Sequence, residues 1–146
     1  EIMCEMAEKD KNIIVLVGDL GFSFIEGYQR RFPKQFINCG IAEQNMIGVA
    51  AGLALAGKKP YCYSGRVFII MRAYEQVRDD VCYNNLNVKL VGTGASQFLG
   101  FTHNLEGIEN EEDLLKNLPN IKRFYPKNRH ELLVAIKSHG PTFIKI

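Results

Sequence analysis

The run Ile13-Ile14-Val15-Leu16-Val17 is followed at once by Gly18-Asp19-Leu20-Gly21. A continuous apolar run that is mostly β-branched is typical of a strand buried on both faces. The small and polar residues directly after it mark the end of the strand and the start of a loop. A strand of this kind predicts a parallel sheet that is covered by helices.

Further predicted strands and helices alternate along the rest of the chain. The predicted strands are 13–17, 35–38, 59–63, 88–91, 121–125 and 142–146, and the predicted helices are 2–9, 43–56, 68–83, 111–117 and 129–138. This alternation predicts an α/β fold of three layers, in which a mainly parallel sheet carries helices on both faces. Ligands of such sheets bind beyond the carboxyl ends of the strands. We therefore expect the functional loops after Val17, Asn38, Tyr63 and Val91.

The composition is that of an ordinary globular domain. The chain has 146 residues, of which 47% are hydrophobic and 23% charged, with a formal net charge of +2. This fits one domain, 1–146, with its own core. So small a net charge gives no indication of nucleic-acid binding, and no apolar run approaches the roughly 20 residues of a membrane span. We expect neither nucleic acid nor membrane as a partner.

The cysteines indicate the compartment rather than a metal site. Cys4, Cys39, Cys62 and Cys82 are widely spread and form no Cys-x-x-Cys pair. That spacing does not favour a zinc site, so we expect no metal ligands in this chain. Scattered reduced thiols are typical of cytoplasmic proteins.

The predicted helix 43–56 is crowded with small residues, including Gly48, Ala50, Ala51 and Gly52. Glycine costs a helix about 1 kcal/mol relative to alanine, so close packing must offset that cost. One interpretation is close packing against the domain's own sheet. The other is close approach of a helix from another subunit, and composition alone leaves both open.

A carboxylate lies at the start of this helix, in Asn38-Cys39-Gly40-Ile41-Ala42-Glu43-Gln44-Asn45. Negative charge at a helix N-terminus is favourable. Glu43 could therefore be a purely structural residue.

Several motifs surround Glu43 in a fixed order. They are Phe36 to Met46, Ala50-Ala51-Gly52-Leu53-Ala54, Lys59-Pro60-Tyr61, Arg72-Ala73-Tyr74-Glu75-Gln76-Val77-Arg78, Asn87-Val88-Lys89-Leu90-Val91-Gly92 and Thr102-His103. Together they resemble the pyrimidine-binding domain of the transketolase family, with its Gly-Ile-Ala-Glu-Gln signature. The resemblance covers nearly the whole chain and is closest to transketolases and deoxyxylulose-phosphate synthases. The β subunits of 2-oxoacid dehydrogenases share this domain but are more distant.

The resemblance implies a thiamine-diphosphate-binding fold of the pyrimidine type, and thiamine diphosphate as cofactor. In the family, the glutamate at the position of Glu43 hydrogen-bonds N1′ of the aminopyrimidine and thereby helps the cofactor to lose its C2 proton. That role requires a protonated carboxyl, which an apolar pocket favours. We expect Ile41 to line such a pocket.

The resemblance also places further residues at the cofactor. Asp19 and Leu20 match a pair near the thiazolium, although Asp19 could also mark a helix start. Phe68 matches the aromatic ring that stacks on the aminopyrimidine, although it could also be a core residue. Tyr74 and Arg72 are further candidates at the same pocket.

On the substrate side, the resemblance assigns Ser23 to the phosphate end of the substrate and His103 to hydrogen bonding and proton movement. A lone serine is more often a turn residue. Two positions depart from the family: Leu99 stands where an acidic residue recognises a sugar hydroxyl, and Tyr125 stands where many members have a phosphate-binding arginine. These departures predict an altered donor or acceptor.

The motif that binds diphosphate and metal in the family, Gly-Asp-Gly followed by an asparagine, is not found. Gly18-Asp19-Leu20-Gly21 resembles its beginning, but no fitting asparagine follows. By resemblance, a partner domain or subunit holds the diphosphate and its Mg²⁺ (or Ca²⁺), and this chain supplies half of the site. The diphosphate-binding and C-terminal domains are expected to lie elsewhere.

The predicted function is transfer of a two-carbon ketol (glycolaldehyde) unit between sugar phosphates, in a homodimer or an α2β2 assembly. Two alternatives stay open. One is a non-catalytic assembly or regulatory domain with the same fold. The other is a fragment of a 2-oxoacid dehydrogenase β-type subunit.

Overall fold

A parallel sheet organises the computed structural model, which describes residues 1–23, 25–94 and 112–146. Its strands are β1 (Ile13–Val17), β2 (Phe36–Asn38), β3 (Lys59–Gly65), β4 (Lys89–Thr93), β5 (Lys122–Phe124) and β6 (Thr142–Lys145). They lie in the order β2-β1-β3-β4-β6-β5, and every described pair is parallel. The predicted α/β fold is confirmed.

Helices cover both faces of this sheet. They are α1 (Ile2–Lys9), α2 (Ile25–Arg31), α3 (Glu43–Leu55), α4 (Tyr74–Gln76), α5 (Glu112–Leu115) and α6 (Arg129–Lys137). Side chains alternate along a strand, so Ile14 and Leu16 of β1 join the core under α3, whereas Val15 and Val17 join the core under α1, α2 and α6. None of the described helices is long and apolar enough to cross a membrane.

Two differences from the predicted elements lie around β2. Helix α2 was missed because it is short, contains Gly27 and buries only Tyr28. Gln35 was predicted to begin a strand, but it ends a 3₁₀ turn, Pro33–Gln35. Its side-chain amide turns inward and donates to the carbonyl oxygens of Asp10 and Ile13, at 3.0 and 3.1 Å.

The predicted helix 68–83 is interrupted by wider turns. Two π-helical segments, Phe68–Arg72 and Val77–Cys82, flank the short α4. In each, a backbone N–H donates to the carbonyl five residues earlier, from Ala73 to Phe68 at 3.2 Å and from Tyr83 to Arg78 at 3.0 Å. The remaining described boundaries agree with the prediction to within two residues.

Lys89 begins β4 as a buried cation, with a relative exposure of 2%. Its ammonium group donates to Asn87 Oδ1 at 2.5 Å and to the Gly140 carbonyl at 3.3 Å. Burial lowers the pKa of Lys89 to about 8, and the nearby Lys122 and Lys59 add to that effect. The folded protein therefore loses this proton at a lower pH than the unfolded chain does.

This difference predicts how stability depends on pH. Between pH 8 and about 10.5 the unfolded chain still binds the proton, so wild type should gain stability relative to Lys89→Met as pH rises, by at most about 1.4 kcal/mol per pH unit. Urea unfolding at pH 7 to 10 measures the difference, with the exposed Lys34→Met as control. A gap between wild type and Lys89→Met that does not change with pH would contradict the prediction.

Candidate active site

The parallel register brings the carboxyl ends of β1 and β2 level, two residues before β3 ends at Gly65. Val17 of β1 is paired with Asn38 of β2 and with Tyr63 of β3. Bonds from Cys39 N–H to the Val17 carbonyl, at 2.9 Å, and from Gly18 N–H to the Tyr63 carbonyl, at 3.2 Å, extend the ladder beyond the strands. The loops after β1 and β2 therefore start side by side, next to Ser64 of β3, at the predicted edge of the sheet.

Glu43 is the first residue of α3, beside these loops, and its relative exposure is 1%. One carboxylate oxygen, Oε1, accepts a hydrogen bond from the Ser64 hydroxyl at 3.1 Å. The other, Oε2, accepts one from Arg72 Nη1 at 2.8 Å. The helix N-terminus adds favourable polarity, so a buried negative charge is well stabilised here.

This environment differs from the apolar pocket expected around Glu43. A hydroxyl and a guanidinium contact the carboxylate, and Ile41, which was expected to line the pocket, is 76% exposed in this chain. The reason is physical, because a charge that is removed from water needs hydrogen-bonding partners in the protein.

Gly18 lets β1 approach Glu43 closely. A Cβ at this position would lie 3.0 Å from Ser64 Oγ and 3.1 Å from Glu43 Oε1. Both distances are shorter than ordinary van der Waals contact. The absence of a side chain at Gly18 therefore preserves the hydrogen bond between Ser64 and Glu43.

Phe68 and Arg72 form the outer part of the site. The guanidinium carbon of Arg72 lies 4.3 Å from the centroid of the Phe68 ring, which is a cation–π contact. The Arg72 side chain is 38% exposed. The guanidinium thus contacts an aromatic ring and the buried carboxylate at the same time.

Asp19 lies in the loop after β1, in a left-handed backbone conformation with φ 52°. It is not at a helix start, since α2 begins only at Ile25. Its Oδ1 accepts a hydrogen bond from Asn38 Nδ2 at 3.0 Å, and Asn38 Oδ1 accepts one from Gly40 N–H at 2.9 Å. Asn38 thereby ties the two loops together, and Leu20 follows as a half-buried neighbour of Asp19.

The other predicted site residues have different surroundings. Ser23 is exposed, has φ 78°, and donates its backbone N–H to Glu26 Oε1 at 3.0 Å. Tyr74 donates its hydroxyl to the Leu114 carbonyl at 2.9 Å, so that hydroxyl is already used in packing. His103, like Leu99, lies outside the described residues.

Sequence reasoning missed Ser64 and Asn38 as partners within the site. Ser64 is a polar residue near the carboxyl end of the buried strand β3. A polar residue at that position could have identified it from the sequence as a site residue. The sequence indicates Arg72 only as a further candidate and does not identify Glu43 as its partner. Over 1–23, 25–94 and 112–146, no group of three or more His, Cys, Asp or Glu residues is suited to a metal ion.

A cavity of about 540 Å³ lies away from Glu43, on the opposite face of the sheet. Its lining is mostly apolar and comes largely from α1, α2 and α6. None of the predicted site residues lines it. This cavity is therefore separate from the surroundings of Glu43.

The family model of the transketolase pyrimidine-binding domain matches residues 1–144. The chain therefore belongs to the transketolase family, as a pyrimidine-binding domain. The predicted family is confirmed.

Several similar proteins with curated descriptions are sections or subunits of transketolases. The chain is 35% identical to a putative transketolase C-terminal section of Methanocaldococcus jannaschii, over 100% of this chain and 48% of that protein. It is 35% identical to a 6-deoxy-6-sulfo-D-fructose transketolase subunit of Clostridium sp., over 100% and 47%. It is 37% identical to an apulose-4-phosphate transketolase subunit of Actinobacillus succinogenes, over 84% and 40%. The chain thus spans about half the length of these relatives, or less.

Solved structures agree. One, described as a split gene transketolase in an inactive beta4 tetramer, superposes with a TM-score of 0.81 at 36% identity, over 97% of this chain and 47% of that one. A mutant transketolase of Pichia stipitis in complex with fructose 6-phosphate has a TM-score of 0.76 at 21% identity, over 99% of this chain and 24% of that one. The second likeness supports the fold alone.

A pair of glycine substitutions tests the close packing at Glu43. Gly18→Ala should destabilise the protein by about 1–3 kcal/mol, because the new methyl group displaces Ser64 or Glu43. Gly27→Ala adds the same methyl group where no atom lies within 4 Å, and should stabilise α2 by up to about 1 kcal/mol. Urea unfolding measures both, and equal effects would contradict the packing described here.

Proposed function

We propose that this chain supplies the pyrimidine-binding half of a thiamine-diphosphate-dependent enzyme that transfers a two-carbon ketol unit between sugar phosphates. The observation that carries the proposal is Glu43, a carboxylate with 1% exposure that lies beside the carboxyl ends of β1 and β2 and contacts Ser64 of β3. Membership of the family supports a role for this carboxylate at the pyrimidine ring of the cofactor. Burying a charge costs several kcal/mol unless it is well paired, and the site provides two donors for it.

The described residues fit the pyrimidine end of thiamine diphosphate. That end is a flat ring with nitrogen atoms at its rim, and Phe68 offers an aromatic face while Glu43 offers a carboxylate. Bound thiamine diphosphate supplies the nucleophilic carbon for ketol transfer. We assign Glu43 to N1′ of the ring, where the carboxyl holds or releases a proton, and Ser64 to holding that carboxyl in place.

The other roles implied by resemblance remain part of the proposal. Asp19 and Leu20 would lie beside the thiazolium, since the Asn38 bond fixes their loop next to β2. Ile41 and Tyr74 would border the pyrimidine. These roles can be tested by replacing each of the four residues with alanine and measuring the affinity for thiamine diphosphate.

Two further residues are assigned to the substrate. Ser23 is exposed at the same edge of the sheet, as contact with a phosphate group would require, and His103 would move protons at a substrate hydroxyl or carbonyl. Leu99 and Tyr125 replace polar family residues, so we propose that the donor or acceptor differs from the standard ketose phosphates. Turnover of those standard substrates at ordinary transketolase rates would refute this part.

A partner domain or subunit is required by this proposal, because it must supply the diphosphate and Mg²⁺ (or Ca²⁺) site. The exposed surface of helix α3 supports a contact with such a partner. Ala50 and Ala51 are buried against the chain's own sheet, but Gly48 and Gly52 are exposed, and a Cβ at either would meet no atom within 4 Å. Packing on the domain's own sheet therefore does not explain these glycines. We propose that a helix of a homodimeric or α2β2 partner contacts them.

We also propose the cytoplasm as the location of the protein. The four cysteines are free thiols, and such thiols persist in a reducing compartment. Fractionation of source cells, with detection of the chain, would test the location.

The association is testable through the exposed glycines. Gly48→Leu and Gly52→Leu should weaken assembly at least about tenfold, because a bulky side chain prevents close helix approach. Leucine also favours helix, so the fold should persist. Sedimentation of the assembled protein measures the dissociation, with Gly27→Leu on α2, also without neighbours within 4 Å, as control. Unchanged assembly would place the interface elsewhere.

The catalytic proposal is tested on the native complex, purified under mild conditions and assayed for bound thiamine diphosphate and ketol transfer. Glu43→Ala should reduce turnover at least about 100-fold, as expected for loss of a group that moves a proton. Glu75→Ala, an exposed glutamate in α4, should leave turnover unchanged. A complex without cofactor, or one indifferent to Glu43→Ala, would favour the non-catalytic alternative.

A further inference from the structure

The second oxygen of the Glu43 carboxylate is engaged by a side chain that lies partly in solvent. Ser64, which is fully buried, donates to Oε1, whereas the 38% exposed Arg72 donates to Oε2 at 2.8 Å. The first contact lies inside the domain. The second comes from a long side chain that can turn outward into water.

Arg72 also stacks on Phe68, and stacking on this ring is the second contact that a bound aminopyrimidine would make. Its guanidinium carbon lies 4.3 Å from the centroid of the Phe68 ring. A guanidinium is flat, positively charged and rich in N–H donors, and it stacks on aromatic faces. An aminopyrimidine that carries a proton on its ring is likewise flat, positively charged and an N–H donor.

We propose that Arg72 is an internal ligand of the pyrimidine site, which occupies Glu43 and Phe68 in the cofactor-free protein and is displaced when the cofactor binds. This inference rests on the proposed function. Ser64 keeps its hydrogen bond throughout, and only the partner of Oε2 is exchanged. The buried carboxylate therefore never lacks a cationic partner.

The exchange has an energetic reason. Removing one partner of a buried ion pair is strongly destabilising, so an empty site with an unpaired Glu43 would be costly. Arg72 stabilises the empty site, and for the same reason it competes with the cofactor. The apparent affinity for the cofactor is then the intrinsic affinity multiplied by the fraction of molecules in which Arg72 has left Glu43.

The test compares Arg72→Gln with wild type in the assembled complex after the cofactor has been removed. Arg72→Gln should bind thiamine diphosphate about 3- to 10-fold more tightly, because the competitor is gone. Its cofactor-free form should melt at a lower temperature, and saturating cofactor should close that gap. Isothermal titration calorimetry and thermal melting measure the two effects.

Two further variants separate competition from a loss of fold. Arg72→Lys retains the charge but not the flat fork, so its affinity should fall between those of wild type and Arg72→Gln. Arg78→Gln removes an arginine that is paired with the adjacent Asp79, and it should change neither affinity nor melting.

Weaker or unchanged binding in both Arg72 variants would overturn the proposal, since Arg72 would then stay in place beside the bound cofactor. The proposed function has a separate readout. If wild type binds thiamine diphosphate and Glu43→Ala abolishes turnover, the function stands whatever Arg72 does. If wild type binds no cofactor, the function fails and the displacement of Arg72 fails with it.

Discussion

The register between β1 and its two neighbours is the constraint on which the site depends. Because Val17 is level with both Asn38 and Tyr63, β1 and β2 end at the same height, and β3 runs only two residues further, to Gly65. Gly18, Gly40 and Ser64 then lie in neighbouring loops or at strand ends. A shift of one strand by a single residue would turn its side chains to the opposite face and separate Ser64 from Glu43.

Helix α3 completes this arrangement because it begins where β2 has just ended. The turn through Gly40, with φ 70°, directs the chain back over the sheet, and Glu43 follows as the first helical residue. Met46 and Ile47, one turn further along the same helix, are buried in the core. The position of the carboxylate is therefore fixed by hydrophobic packing one turn further along.

The fold was predictable because its signal is local. An apolar run such as Ile13–Val17, which is short, β-branched and followed by turn residues, favours a buried strand, and the confirmed parallel sheet follows from the alternation with helices. Glu43 was found through its motif, yet its partners were not. Ser64 lies 21 residues away and Arg72 lies 29 residues away, and neither pairing leaves a trace in spacing. Helix α2 escaped because Gly27 and a single buried residue, Tyr28, give no clear period.

The π-helical turn Phe68–Arg72 has a consequence for how this family can diversify. A π turn holds one residue more than an α turn does, and such turns are frequent at functional sites. Removing one residue from it would convert the wide turn into an ordinary α turn, with 3.6 residues per turn. Phe68 and Arg72 would then be three positions apart, still on one face of the helix, but the widened backbone between them would be lost. Because Ile69 and Ile70 of this turn are buried in the core, a change of length here would alter the wall of the pocket and the packing beneath it together.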